Sequence, residues 1–234
     1  MPVNFGPIIY ELSVWALPVI VAVTFHEVAH GLVAHWFGDD TAWMLGRVNF
    51  NPLRHIDPFG TIVMPAILWF AGGFIFGYAK PVPVNFGQLR KPKRDMIWVA
   101  AAGPGMNMLL AFVSGLLLNV AVFAPVYFRN WLLLNLDDSI QINIMLAVFN
   151  MLPLPPLDGG RVIVGLLPLK LARPFSRIER YGILILLALI FLLPMLGRNL
   201  GIDLNVVSWA LSDPVNWLYR AMRWVTGTYS MTEI

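Results

Sequence analysis

The 234-residue chain has no cysteine. Disulfides and thiolate metal ligands are therefore excluded, and any metal must be held by histidine and carboxylate. Charge is also scarce. Asp, Glu, Lys and Arg make up 12% of the residues, about half the share usual in a soluble domain. That is too little polar surface to coat a water-soluble globule of this length. The net charge is only +3, and the basic residues cluster beside apolar segments, so no nucleic-acid surface is expected. There is no internal repeat and no low-complexity tail. Apolar residues, by contrast, reach 58%, with 9 Trp and 15 Phe. The balance predicts an all-α polytopic membrane protein whose immediate partner is the lipid bilayer.

The apolar runs predict about five to six membrane segments. Ile8 to Phe37 exceeds the roughly 20 residues that a hydrocarbon core requires. It lacks a basic leader and is not read as a cleaved signal peptide. Gly60 to Tyr78 is apolar but interrupted by Pro65 and Gly72-Gly73, which suits a re-entrant hairpin. Met96 to Ala124 is a clear span, followed by a short amphipathic connection from Pro125 to Ser139. Ile140 to Leu169 is a broken span, Tyr181 to Leu196 a further one, and Ile202 to Val225 an amphipathic segment that lies in the interface or crosses last. The chain thus reads as one membrane-embedded domain, with a core over 8–170 and C-terminal helices over 181–226. Loops 80–95 and 170–180 carry nine Lys and Arg. The positive-inside bias places both in the cytoplasm, with the N-terminus outside.

Within the first run stands His26-Glu27-Val28-Ala29-His30, an H-E-x-x-H pattern. On a helix, His26 and His30 lie one turn apart on one face, so both imidazoles can reach one metal ion. Glu27 projects beside them, where it can take a proton from a bound water. Ionisable residues at membrane depth are costly and by default functional. A catalytic zinc needs a third protein ligand. Among the membrane segments after residue 80, Asp158 is the one acidic residue in an apolar context. It lies between Pro155-Pro156 and Gly159-Gly160. Prolines break the helix before it, and glycines let backbone approach closely behind it.

His26-Glu27-x-x-His30 together with Asn150-x-x-Pro153-x-Pro155-x-Leu157-Asp158-Gly159 resembles the site-2 protease family of intramembrane zinc metalloproteases. Asn51-Pro52-Leu53-x-His55-Ile56-Asp57-Pro58, Lys80-Pro81-Val82-Pro83-Val84-Asn85 and Ala102-Gly103-Pro104-x-x-Asn107 look like its compact bacterial branch, without a PDZ-like or CBS-like domain. The resemblance spans roughly residues 10–170. It implies His26, His30 and Asp158 as ligands of one zinc ion and Glu27 as general base. Asn150 would act at the active site, holding the scissile carbonyl or the oxyanion. The implied reaction is hydrolysis of a peptide bond within or near a transmembrane segment of a membrane-protein substrate. The active site would lie near the cytoplasmic side of the plasma membrane. Because a transmembrane helix hides its carbonyls, the substrate must unwind. The extended stretch from Val82 to Phe86, through Val82, Val84 and Asn85, is expected to pair with it as an added strand.

Each assignment has a plainer counterpart. His26, Glu27 and His30 can form a hydrogen-bonded polar cluster, Asp158 a helix cap and Asn150 a helix-ending turn. Asn107 is expected to make interhelical hydrogen bonds. His55 and Asp57 suit loop turns. An idle relative acting as a membrane scaffold or chaperone, or a transporter with a broken-helix site, are the runner-up functions.

Overall fold

The computed structural model describes residues 5–64, 67 and 79–229. Among the described residues, four helices are long and apolar enough to cross a membrane: Ile9–Trp36, Pro92–Ala121, Val126–Asn150 and Leu169–Leu200. The first is most of helix α1 (Phe5–Trp36), which is followed by a single turn, α2 (Thr41–Met44). Helices α3 (Pro92–Ala121) and α4 (Val126–Asn150) follow. A short helix α5 (Asp158–Leu166) precedes α6 (Leu169–Ser176), α7 (Gly182–Leu187) and α8 (Leu193–Leu200). Last comes α9 (Val206–Val225). No strand occurs among the described residues.

Helices α1, α3 and α4 form the centre. Ser114 on α3 meets Ser139 on α4, and Asn107 meets Asn143, so these two helices run antiparallel. Trp131 near the start of α4 donates to Ser13 near the start of α1, so α1 and α4 run the same way. Apolar side chains face outward as well as inward. Ile9, Leu12, Leu116, Leu117, Val120 and Leu184 are all exposed. Exposed aliphatic surface of this extent needs lipid around it. The buried core on the far half of the bundle joins Ala111 and Leu118 to Ile140, Ile144 and Met222. A second cluster, Ala34, Leu89 and Val99 with Val84 and Phe86 against it, closes the end that carries Lys91, Lys93 and Arg94.

Two sequence expectations shift. The stretch from Pro125 to Ser139 is not a connection. From Val126 it is the first half of α4, so the span is Val126–Asn150 rather than one beginning at Ile140. Its polar residues find partners on a distant helix: Asp137 accepts from Arg223 and Tyr219 on α9, each at 2.7 Å. Lys170 to Arg180 is likewise helical, since α6 and a 3-10 turn over Arg177–Tyr181 run into α7. The stretch 80–85 is non-helical, as expected, and pairs with no strand among the described residues. Most of the expected re-entrant segment 60–79 lies outside the described residues. Its first residues form a π-helical turn over Pro58–Val63, capped by Asp57. Helix α9 is amphipathic, with Trp209, Trp217 and Trp224 exposed, and is not among the four long apolar helices.

Candidate metal centre

Helix periodicity places His26 and His30 one turn apart on α1, facing α3. Helix α3 holds both rings from behind. His30 Nδ1 donates to the Val99 carbonyl at 2.7 Å, and His26 Nδ1 donates to Asn107 Oδ1 at 2.6 Å. The Asn107 amide is oriented by obligate acceptors. Its nitrogen donates to the Ala22 carbonyl at 3.2 Å and to Asn143 Oδ1 at 2.8 Å. Asn143 in turn donates to the Ser139 carbonyl at 2.8 Å. Both Nδ1 atoms therefore carry a proton, which leaves Nε2 as the nitrogen through which each ring can ligate a metal.

Those nitrogens converge. The two Nε2 atoms are 3.0 Å apart, and Asp158 Oδ2 stands 3.2 Å from one and 3.3 Å from the other. All three residues are buried, and Asp158 Oδ2 has no hydrogen-bond partner. Two imidazole nitrogens and a carboxylate oxygen packed this closely form a buried donor set that a shared cation would bridge. The spacing also fits the expected ion. Ligands at about 2.0–2.1 Å around tetrahedral zinc stand about 3.3 Å apart. Among the described residues this trio is the one group of histidine and carboxylate ligands close enough to share a metal.

Asp158 reaches the site because the chain breaks where it does. Helix α4 stops at Asn150, and the loop 151–157 turns back so that α5 starts at Asp158. A side chain on Gly159 would strike the Met151 carbonyl oxygen at 2.2 Å, and one on Gly160 would strike the Pro155 nitrogen at 2.3 Å. Only glycine lets the loop lie against the first turn of α5. Asp158 is the first helical residue rather than the cap, and its carboxylate turns to the histidines. The cap reading is therefore not what the structure displays.

Glu27 is half-buried beside the trio, and its Oε2 accepts the Val82 N–H at 2.7 Å. The extended stretch is fixed at further points: the Lys80 N–H donates to the His55 carbonyl at 2.8 Å, and the Asn85 N–H to Asp39 Oδ2 at 2.6 Å. Val82 is buried, Val84 half-buried and Asn85 exposed. Asn150 ends α4 with its amide nitrogen donating to the Leu146 carbonyl at 3.0 Å. No hydrogen bond or ion pair joins it to the trio among the described residues. The structure thus brings together His26, His30 and Asp158, sets Glu27 and Val82 alongside, and leaves Asn150 on its own helix.

Asn107 makes the expected interhelical bonds and also fixes the tautomer of His26, a role the sequence reading did not assign. The Val99 carbonyl, Gly103 and the Val82 N–H were missed as well. One signal was available: Val99, Gly103 and Asn107 are spaced i, i+4, i+8, the same period as the histidines they face.

A sequence profile described as "Peptidase family M50" matches residues 14–130 and 136–193. The chain belongs to peptidase family M50. As an M50 peptidase it is a zinc metalloprotease of the membrane, in agreement with its resemblance to the site-2 proteases. It is 39% identical over 201 residues to "Putative zinc metalloprotease YwhC" of Bacillus subtilis, covering 80% of this chain and 84% of that protein. It is 30% identical over 162 residues to "Putative zinc metalloprotease MJ0611" of Methanocaldococcus jannaschii, covering 68% and 73%. It is 27% identical over 194 residues to "Putative zinc metalloprotease Rip2" of Mycolicibacterium smegmatis, covering 82% and 70%. No solved structure gives a significant match to this M50 peptidase.

Proposed function

We propose that the protein is an intramembrane endopeptidase that cuts peptide bonds within or near transmembrane segments of membrane-protein substrates. The reading is supported by one observation: two imidazole Nε2 atoms and a carboxylate oxygen converge, buried, inside a bundle of membrane-length helices, with the Glu27 carboxylate beside them. His26, His30 and Asp158 hold the zinc ion. When bound, zinc supplies a Lewis acid for the scissile carbonyl and acidifies the attacking water. Glu27 accepts the proton of that water at its carboxylate and returns it to the leaving amine. Asn107 and Val99 keep the two imidazoles in the tautomer that this requires. Asn150 exchanges its bond to Leu146 for one to the substrate carbonyl.

The stretch 81–85 offers an unwound substrate a narrow edge. Pro81 and Pro83 have no N–H, Val82 donates to Glu27, and Asn85 donates to Asp39. Val84 is the donor left for an incoming strand among the described residues, so pairing is brief and one-sided. The test is cleavage of a model single-span substrate by purified protein in detergent. A strong chelator is expected to abolish cleavage, zinc to restore it, and the cut to map inside or at the edge of the span. Cleavage that persists in the chelator, or cuts confined to soluble loops, would refute the reading.

The reading also sets an orientation. His30 is held at Val99, roughly 10 Å along α3 from its first residue at 1.5 Å per residue, beside Lys91, Lys93 and Arg94. The metal centre is therefore near the basic end, which belongs in the cytoplasm of a cell whose plasma membrane this domain spans. The cysteine-free chain permits a direct check. Arg94→Cys, at an exposed site, is expected to label with a membrane-impermeant thiol reagent from the cytoplasmic face only. Tyr127→Cys, at a position 91% exposed, is expected to label from the opposite face only. Labelling of both from one face overturns the orientation.

A further inference from the structure

We infer that Gly103 is a metal-site residue: its missing side chain keeps open the space in which the two histidine nitrogens meet the metal, and loading depends on it. The inference rests on the ligand reading above. Gly103 is buried on α3, four residues after Val99 and four before Asn107. Those two residues draw the His30 and His26 rings onto the helix from either side, through bonds of 2.7 and 2.6 Å. The rings close over Gly103. A methyl group in place of its hydrogen would lie 2.4 Å from His30 Nε2, 2.5 Å from His26 Nε2 and 2.6 Å from His26 Cε1. These are the two atoms aimed at the metal and a ring carbon beside one of them, and none of the distances is attainable for a real methyl contact. Relief by ring movement is blocked. Each imidazole would have to break its Nδ1 bond, which sets tautomer and direction, and leave a buried polar group unpaired. Glycine is here a requirement of the metal rather than of the helix, whose interior it weakens.

Gly105, two residues on, supplies an internal control. It is exposed, and nothing lies within 4 Å of where its methyl would sit. Wild type, Gly103→Ala and Gly105→Ala are purified in detergent and equilibrated in zinc buffers of graded free concentration. Zinc per chain is read by elemental analysis, and helicity by circular dichroism. Gly105→Ala is expected to match wild type. Gly103→Ala is expected to bind zinc about 10–100-fold more weakly, the usual loss when the support of a metal ligand is disturbed, with its helicity kept. Gly103→Ala that holds zinc as tightly as wild type overturns the inference and leaves the ligand reading intact. Wild type that binds no zinc overturns both. Thermal melts in chelator add a second readout that does not need a loaded protein. Gly103→Ala is expected to lower the melting temperature of the wild-type chain but not that of a His26→Ala/His30→Ala chain, where the opposing rings are gone. Equal lowering in both backgrounds would show that the glycine serves helix packing, and would overturn the inference.

Discussion

Glu27→Gln is expected to keep its zinc and to lose cleavage by about 10²–10⁴-fold, the range a positioned acid-base group supplies. The substitution separates proton transfer from everything else that Glu27 touches. Glutamine has the same length, and its Oε1 still accepts the Val82 N–H that Glu27 accepts at 2.7 Å. The extended stretch therefore stays in place. The three atoms that converge, and that would hold the metal, belong to His26, His30 and Asp158, so zinc content should not fall. An amide, however, cannot take a proton from water and return it to an amine. The check is elemental zinc analysis beside cleavage of a single-span substrate, with wild type and variant at equal protein. Cleavage at the wild-type rate would remove Glu27 from the reaction. Loss of zinc together with cleavage would move Glu27 from base to structural support of the site.

How much of this was readable in the residues depended on whether the decisive contact was local. The H-E-x-x-H pattern was readable because helix period alone puts His26 and His30 on one face. Asp158 was readable because a lone carboxylate between prolines and glycines in an apolar run has few other uses. The start of α4 was not. Asp137 and Asp138 look like loop residues until Arg223 and Tyr219, more than 80 positions later, pack against Asp137. A polar residue in a membrane helix is intelligible only once its partner is known. The same holds at the metal centre. Asn107 was legible as an interhelical donor, but its grip on His26 spans 81 positions. The Val82 N–H that meets Glu27 has no side-chain signature at all. Its flanking prolines, which lack N–H groups, are the one hint that a single backbone donor is being reserved. The role of Gly103 is an absence of atoms, visible only when the rings opposite it are in place.

Asp158 carries the other large expected effect, and two substitutions read it differently. Zinc sites with four protein ligands are worth about 10–16 kcal/mol, roughly 2.5–4 kcal/mol per ligand, so Asp158→Ala is expected to weaken zinc binding by on the order of 10²–10³-fold. Cleavage should vanish with the metal. Asp158→Asn removes the charge and should weaken zinc comparably, yet it should leave a better-folded protein. Its amide N–H can donate to a histidine Nε2 that now stands 3.2–3.3 Å from the carboxylate oxygen. That supplies a hydrogen bond which alanine cannot make. A hydrogen bond of this kind contributes about 1 kcal/mol, enough to raise the melting temperature above that of Asp158→Ala when both are measured in chelator. In wild type the rings stay directed by Val99 and Asn107, so the gain belongs to the new donor and not to ring reorientation. Full zinc occupancy in Asp158→Ala at limiting zinc would remove Asp158 from the ligand set. Equal melting of the two variants would instead show that the asparagine makes no such bond and that its amide gains nothing over alanine.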